Sequence, residues 1–320
     1  MIPPPFHLEF IQFLADHRTV PLTSFFLAVT TLGTFTVYIL IVTLLYVAWN
    51  KQLAIRLSVL VLSTMVFNDI LKIAIKNPRP FIRDGNWRSK WAVSPKDAAV
   101  LAAEYSTPSG HAMGSSAFYS YIFACIHHRT VRVAAVAAIV LIGFSRPYLG
   151  VHYGEDVLLG WAFGLTMAAV SIRCGDCIAT TWNRLSFVRQ IAAAVAGSLV
   201  LWLLAVLLNG GQIAGQPRNV LSYAGFLTGI IVARPLEMSK VSFDPRSSGV
   251  MAKMLRYLLS IGMVILTLLA LSVVFGMVAD RSSPVWNLFE YLRMSAAGFV
   301  AIFVAPLLFT RIGWAGRTAR

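Results

Sequence analysis

Charge is what this chain has least of. Asp, Glu, Lys and Arg make up 12% of its 320 residues, against 58% hydrophobic residues, with a mean hydropathy of +0.72. A soluble domain carries about 25% charged residues, so the scarcity excludes an ordinary water-soluble fold. Acidic side chains are rarer still: 13 against 27 basic ones leave a net charge of +14. That excess would suit a nucleic acid. The basic residues sit mostly in short loops between apolar runs, however, where they orient membrane spans, and no nucleic-acid partner is expected. Cysteine is nearly absent. Cys125, Cys174 and Cys177 make no disulfide framework. Cys174-Gly-Asp-Cys177 lacks both a second pair and nearby histidines, so no zinc site is expected. The first residues, Met1–Pro5, carry neither charge nor an apolar core before a cleavage site, so no secretory leader is expected. There is no internal repeat and no low-complexity tract.

What the chain does have is long apolar runs. Residues 6–17 alternate apolar and polar at helical spacing and predict a helix lying in the membrane interface. Nine candidate spans follow: 21–49 with a bend at Gly33, 55–75, 110–127, 131–146, 155–172, 190–208, 219–233, 256–278 and 290–310. The expected class is all-α, a polytopic transmembrane helical bundle. With residues 50–54 placed inside, the inner loops receive most of the Lys and Arg, as the positive-inside rule requires. One outer segment, 77–108, breaks the rule with Arg79, Arg83, Arg88, Lys90 and Lys96. Basic residues there call for an anionic ligand.

Three polar clusters fall on that same outer boundary. The first is Lys72 with Arg79-Pro80. The second is Pro108-Ser109-Gly110-His111, opening a span. The third is Ser145-Arg146 followed by His152 and Asp156. Lys72, Arg79 and Arg146 offer cations that hold a phosphoryl group and neutralise charge on its oxygens. Ser109 and Gly110 stand at a helix start, where unsatisfied backbone N–H groups cradle an anion. His152 and Asp156, four residues apart, share one helical face, so the carboxylate can orient the ring and leave one nitrogen to attack phosphorus. His111 remains to protonate the leaving oxygen and then to activate water. The cations come from the protein, so no metal or other cofactor is expected. Each feature also has a plain structural reading. Lys72 and Lys76 can snorkel at a helix end, Ser109 can be an ordinary cap, and Arg146 can set topology. Those readings do not explain why all three clusters share one boundary. His7 and His17 go to the interfacial helix, and His127 and His128 to an inner loop.

Lys-x6-Arg-Pro, then Pro-Ser-Gly-His, then Ser-Arg-x5-His-x3-Asp resembles the three-part signature of the type 2 phosphatidic acid phosphatase superfamily, in its membrane-integral branch. The match spans roughly residues 60–175. The resemblance implies a haloperoxidase-like helical core, a phosphohistidine on His152, His111 as acid, and phosphate contacts from Lys72, Arg79, Ser109, Gly110 and Arg146. On this reading 1–20 is an interfacial helix, 21–180 a phosphatase core, and 181–320 a set of additional transmembrane helices. The additional helices could serve as a homo-oligomer surface, a lipid-access wall or a separate transport-like unit. The implied function is hydrolysis of a lipid phosphate or diphosphate, such as an isoprenyl diphosphate, a phosphatidate or a sphingoid phosphate. The implied location is a bacterial inner membrane with the site facing the periplasm. The alternatives are a phosphotransferase that uses the same intermediate, a phosphatase of soluble sugar phosphates, and a lipid transporter or flippase. A transporter is disfavoured because the charges gather at one boundary rather than at mid-bilayer.

Overall fold

A computed structural model describes residues 6–83, 92 and 101–317 of the chain. Of the outer basic segment, Arg88, Lys90, Lys96 and the side chain of Arg83 lie outside the described residues. The elements in order are α1 (Glu9–Asp16), α2 (Val20–Thr31), α3 (Phe35–Ala48), α4 (Lys51–Ile75), a short α5 (Pro80–Arg83), α6 (Gly110–Cys125), α7 (Arg129–Tyr148) and α8 (Gly154–Asn183). Then come α9 (Phe187–Leu208), α10 (Gln216–Leu236), α11 (Val250–Val278), α12 (Val285–Phe299) and α13 (Ala305–Arg311), with π-helical turns at Glu237–Val241 and Val300–Val304. Among the described residues there is no strand beyond an isolated bridge between Phe243 and Arg317. The protein is an all-α integral membrane protein.

Among the described residues seven helices are long and apolar enough to cross a membrane, and α2 with α3, bent by 52°, makes an eighth if the pair is one span. The bend falls where the sequence predicts it. A side chain at Gly33 would meet Ile142 and, at 3.2 Å, the ring of His111, so only a residue without one fits at the end of α2. The expected span 110–127 differs. Helix α6 has 16 residues, a rise of about 24 Å at 1.5 Å per residue. That falls short of a hydrocarbon core about 30 Å thick.

The chain divides into two compact units, Met1–Tyr38 with Thr64–Gly175, and Ile39–Ser63 with Asp176–Arg320. In the first, α1 buries Ile11 against Phe81 and Tyr153, and Leu14 against Tyr148, Leu149 and Val151, while Phe10 and Phe13 stay exposed. The predicted interfacial helix is thus also a brace for the segment that carries His152. Helices α6 and α8 approach closely because Gly160 and Gly164 share one face of α8. A Cβ at Gly160 would lie 2.8 Å from the carbonyl oxygen of Ser109, and one at Gly164 would collide with Ser116.

The second unit is held by small residues and by buried charge. Arg256, fully buried, donates to the carbonyls of Asp244, Pro245 and Ser247 at 3.0–3.3 Å and so folds the polar 235–255 connector onto itself. Lys51 pairs with Glu237 at 2.9 Å. Helices α10 and α12 cross where Gly225, Gly229 and Gly298 let the backbones touch. A Cβ on Gly229 would overlap the carbonyl of Ser295 and come within 2.9 Å of the Phe299 nitrogen. Gly229→Ala is therefore expected to destabilise the protein by about 1–3 kcal/mol, the usual cost of overpacking. Gly262→Ala, at a site with nothing within 4 Å, is the control and should melt like the parent. Equal unfolding temperatures for the two variants in detergent would contradict this packing.

Candidate functional site

The site is built from four chain segments of the first unit. Helix α4 brings Lys72, and the turn after it brings Asn77 and Arg79. Segment 104–109 leads into α6. Helix α7 brings Arg146 in its last turn, and the loop to α8 brings His152 two residues before the helix that carries Asp156. Helix α7 stops in a Schellman motif. Gly150 at φ 77° lets its N–H reach the carbonyl of Pro147 at 3.0 Å, and the Val151 N–H reaches that of Arg146 at 3.2 Å. The reversal fixes Val151 and His152 directly beside the cations.

Arg79 occupies the middle. It is 1% exposed. Its Nη1 donates to the Val151 carbonyl at 3.1 Å and to His152 Nε2 at 3.0 Å. Its Nε donates to the Glu104 carbonyl at 3.2 Å, and its Nη2 to Glu104 Oε2 at 3.3 Å. A guanidinium only donates, so Nε2 of His152 must be the accepting nitrogen and the ring proton must sit on Nδ1. Nδ1 faces Asp156 Oδ2 at 3.2 Å and the Ser106 hydroxyl at 3.3 Å. The tautomer follows from donor chemistry: Nε2 carries the lone pair.

The Asp156 carboxylate is fully buried and well supplied with donors. Oδ2 accepts from Ser106 Oγ at 2.5 Å and from the Tyr153 N–H at 2.9 Å, and Oδ1 accepts from Thr107 Oγ1 at 2.5 Å. Asn77 Nδ2 donates to Thr107 Oγ1 at 2.9 Å in turn. Ser109 caps α6 by accepting from the Ala112 N–H, and its own N–H donates to the Asp156 carbonyl at 3.0 Å. Asn68 donates to the Pro108 carbonyl at 3.2 Å, and its Oδ1 would stand 3.1 Å from a Cβ at Gly110.

The remaining cations complete the cluster. Lys72 Nζ donates to Glu104 Oε2 at 2.9 Å. Arg146, 4% exposed, donates from Nη1 to Thr30 Oγ1 at 2.5 Å, while among the described residues its buried Nε has no hydrogen-bond partner. An unpaired buried guanidinium N–H beside other cations marks a place for an anion. His111 is half-buried, in the first turn of α6 beside Ser109 and Gly110, and lies in the field of Arg146, His152, Lys72 and Arg79. Burial, and then the charges of Arg79, Arg146 and Lys72, hold the His152 imidazole well below the ordinary histidine pKa. Burial pushes the Glu104 carboxyl up, but Lys72 and Arg79 more than offset this, so it stays below the usual carboxylate range.

The structure thus brings together Lys72, Arg79, Ser109, Gly110, His111, Arg146, His152 and Asp156, the residues singled out in the sequence. It adds Glu104, Ser106, Thr107, Asn77, Asn68 and Thr30, which sequence reasoning missed. Ser106 and Thr107 directly precede Pro108, so adjacency to the motif was their one available signal. His7, expected within the interfacial helix, instead precedes it and bonds Glu155 Oε1 through Nδ1 at 3.0 Å.

The chain carrying this cluster is similar in sequence to known proteins. Residues 53–176 match the PAP2 superfamily, and residues 221–317 match the transmembrane extension of PAP2 superfamily phosphatases. The chain belongs to the PAP2 superfamily. Among similar PAP2 proteins is a lipid A 1-phosphatase of Rhizobium etli, 33% identical over 135 residues, which are 41% of this chain and 54% of that protein. A phosphatidylglycerophosphatase B of Bacillus subtilis is 38% identical over 77 residues, 21% of this chain and 38% of that protein. An undecaprenyl-diphosphatase of Sulfolobus acidocaldarius is 24% identical over 170 residues, 52% of this chain and 78% of that protein. The chain spans about half the length of the lipid A 1-phosphatases it matches. No solved structure matches it.

The hydroxyls around Asp156 make a stability test of the PAP2 site. Ser106→Ala with Thr107→Val leaves a buried carboxylate short of two donors, at about 1–3 kcal/mol for each group. The double variant should unfold at a clearly lower temperature in detergent. An unchanged temperature would mean that these bonds do not hold the loop.

Proposed function

We propose that this protein is a lipid phosphate phosphatase that acts through a phosphohistidine on His152, without a metal. The observation that carries this reading is the pairing of His152: Nδ1 toward Asp156 at 3.2 Å, and Nε2, as acceptor, toward the Arg79 guanidinium at 3.0 Å. In the reaction, Arg79 moves its donor from Nε2 to a phosphoryl oxygen. The Nε2 lone pair attacks phosphorus, the bond from phosphorus to the lipid oxygen breaks, and that oxygen takes a proton from His111. Water, giving a proton to His111, then attacks phosphorus; the phosphorus–nitrogen bond breaks, its electron pair returns to Nε2, and phosphate leaves. Lys72, Arg146 and the amides at Ser109 and Gly110 hold the equatorial oxygens through both steps. Asp156 keeps the ring oriented and stabilises it when charged.

The names of the similar proteins support a lipid substrate carrying a terminal phosphate or diphosphate. Within this reading, residues 21–180 are the catalytic core and 181–320 the additional helices. The basic residues of 77–108 on the catalytic boundary and the cation-rich loops at the opposite one favour a bacterial inner membrane with the site facing the periplasm.

The test uses the full chain in nanodiscs. His152→Ala should lower phosphate release from lipid phosphates by on the order of 10³-fold or more, since removing a nucleophile removes the whole two-step route. Brief incubation of the parent with 32P-labelled substrate should leave acid-labile label on the protein, and His152→Ala should carry none. EDTA should leave the rate unchanged. Near-normal phosphate release by His152→Ala would defeat the mechanism, and label appearing on a lipid acceptor instead of in free phosphate would make the protein a phosphotransferase.

The pH profile gives an independent check. Attack needs the neutral ring, and burial with the neighbouring cations holds His152 well below 6.5. The sign follows: protonation is delayed to lower pH, so activity persists there. After allowance for ionisation of the substrate phosphate, the acid limb of kcat/KM should lie below the ordinary histidine range. An acid limb at or above pH 6.5 would contradict this environment for His152.

A further inference from the structure

Helix α6 leaves the catalytic cluster at Ser109, and α7 returns to it at Arg146, so the turn between them stands at the opposite membrane boundary. An open groove of about 720 Å³ lies there. Its walls are apolar and turned outward: Val133, Val136 and Val140 of α7 are 62%, 49% and 49% exposed, and Phe123 of α6 is 40% exposed. Its mouth is basic, formed by His127, Arg129 and Arg132. No acidic side chain lines it, and among the described residues Arg129 and Arg132 pair with no carboxylate. The Arg132 guanidinium is held in place, with Nε donating to the Phe123 carbonyl at 3.2 Å and the group lying 5.0 Å from the Phe123 ring centroid.

The dimensions and the charge fit one class of occupant. From Arg129 to Val140 the helix rises about 16 Å, close to half of a hydrocarbon core about 30 Å thick. The apolar part therefore matches the depth of a single leaflet, and the cationic part stands at that leaflet's headgroup level. Basic pockets between transmembrane helices recognise anionic lipid head groups. Topology alone explains an excess of Arg in this loop. It does not explain why two arginines crown a one-leaflet groove and lack acidic partners.

We propose that this groove binds an acidic phospholipid of the leaflet opposite the catalytic site, with its phosphate between Arg129 and Arg132 and one acyl chain along Val133, Val136 and Val140. The bound lipid is a structural ligand and not a substrate. The site shares no residue with the proposed chemistry, so its failure would leave the reading of the catalytic cluster untouched.

The experiment compares phosphatidylglycerol with phosphatidylcholine of the same chains, bound to the purified full-length protein and followed by native mass spectrometry. Excess inorganic vanadate occupies the catalytic cluster during these binding measurements and is left out of the activity control. The parent should retain phosphatidylglycerol preferentially. The double variant Arg129→Gln, Arg132→Gln should hold it on the order of tenfold more weakly, or worse, with phosphatidylcholine binding unchanged. Its phosphate release in phosphatidylcholine nanodiscs should also be unchanged, which shows that it is folded. Val136→Trp keeps both charges and fills the groove, so it should lose the same lipid. Equal affinity of the parent for the two lipids, or undiminished phosphatidylglycerol retention by both variants, would overturn the proposal. A change of oligomeric state in place of lipid loss would also overturn it, and would mark the groove as a contact between copies of this chain.

Discussion

Everything at the catalytic end depends on one buried guanidinium. Arg79 is almost wholly removed from water and has donors only, so each contact it makes fixes what its partner must be. It ties the turn after α4 to the segment before α6, through the carbonyl and carboxylate of Glu104. It also ties that turn to the loop before α8, through Val151 and His152. A desolvated charge held this way is costly to leave unpaired. The three motifs are therefore bound to one another by the requirement that Arg79 be satisfied. The same requirement sets the chemistry, because it forces Nε2 of His152 to be the basic nitrogen.

The spare donor of the cluster explains why it should take an anion. Lys72, Arg79 and Arg146 face Glu104 and Asp156, the buried Asp69 also lies in the field of Lys72, and among the described residues the Arg146 Nε is left without a partner. The carboxylates stand in different environments. Asp156 is sealed, with hydroxyls, a backbone N–H and an imidazole on its oxygens. The Glu104 carboxylate is a third exposed and, among the described residues, pairs with Lys72 and Arg79. The first is fixed structure. The second occupies Lys72 and Arg79, so in the proposed reaction an incoming phosphoryl group would compete with it there. Glu104 thus keeps Lys72 and Arg79 gathered in the meantime, which lowers the cost of assembling like charges in a small volume.

The cluster members could be read in the sequence because chemistry demands rare residue types there. In a chain with so few charges, a Lys, two Arg and an Asp at membrane boundaries stand out, and two histidines beside them do so further. The supporting residues were hidden for the opposite reason. Ser106, Thr107, Asn77 and Thr30 are ordinary polar residues whose meaning comes from partners tens of residues away, such as Thr30 on Arg146. Glu104 sits in a segment crowded with charge, where nothing in the sequence sets it apart from Asp84 and Asp97. The helices were legible from apolar runs, and the bend at Gly33 from its glycine. The short α6 was misjudged because its apolar stretch runs on into Ile126, which the backbone leaves outside the helix. The close approach of α6 to α8 was written in Gly160 and Gly164, four residues apart, a spacing that suits close packing of membrane helices.

The shortness of α6 bears on the substrate. If the inner end of α6 lies at the edge of the hydrocarbon core, a rise of about 24 Å carries Ser109 to a point about 6 Å below the far edge of a 30 Å core. A phosphate cradle at that depth is badly placed for a fully hydrated sugar phosphate, which would have to shed its water to descend. It is well placed for a phosphate tethered to a chain already in the bilayer, which needs to move its head group down by only a few ångströms. For the proposed phosphatase, the length of one helix thus favours a lipid over a soluble substrate, independently of any likeness to other proteins.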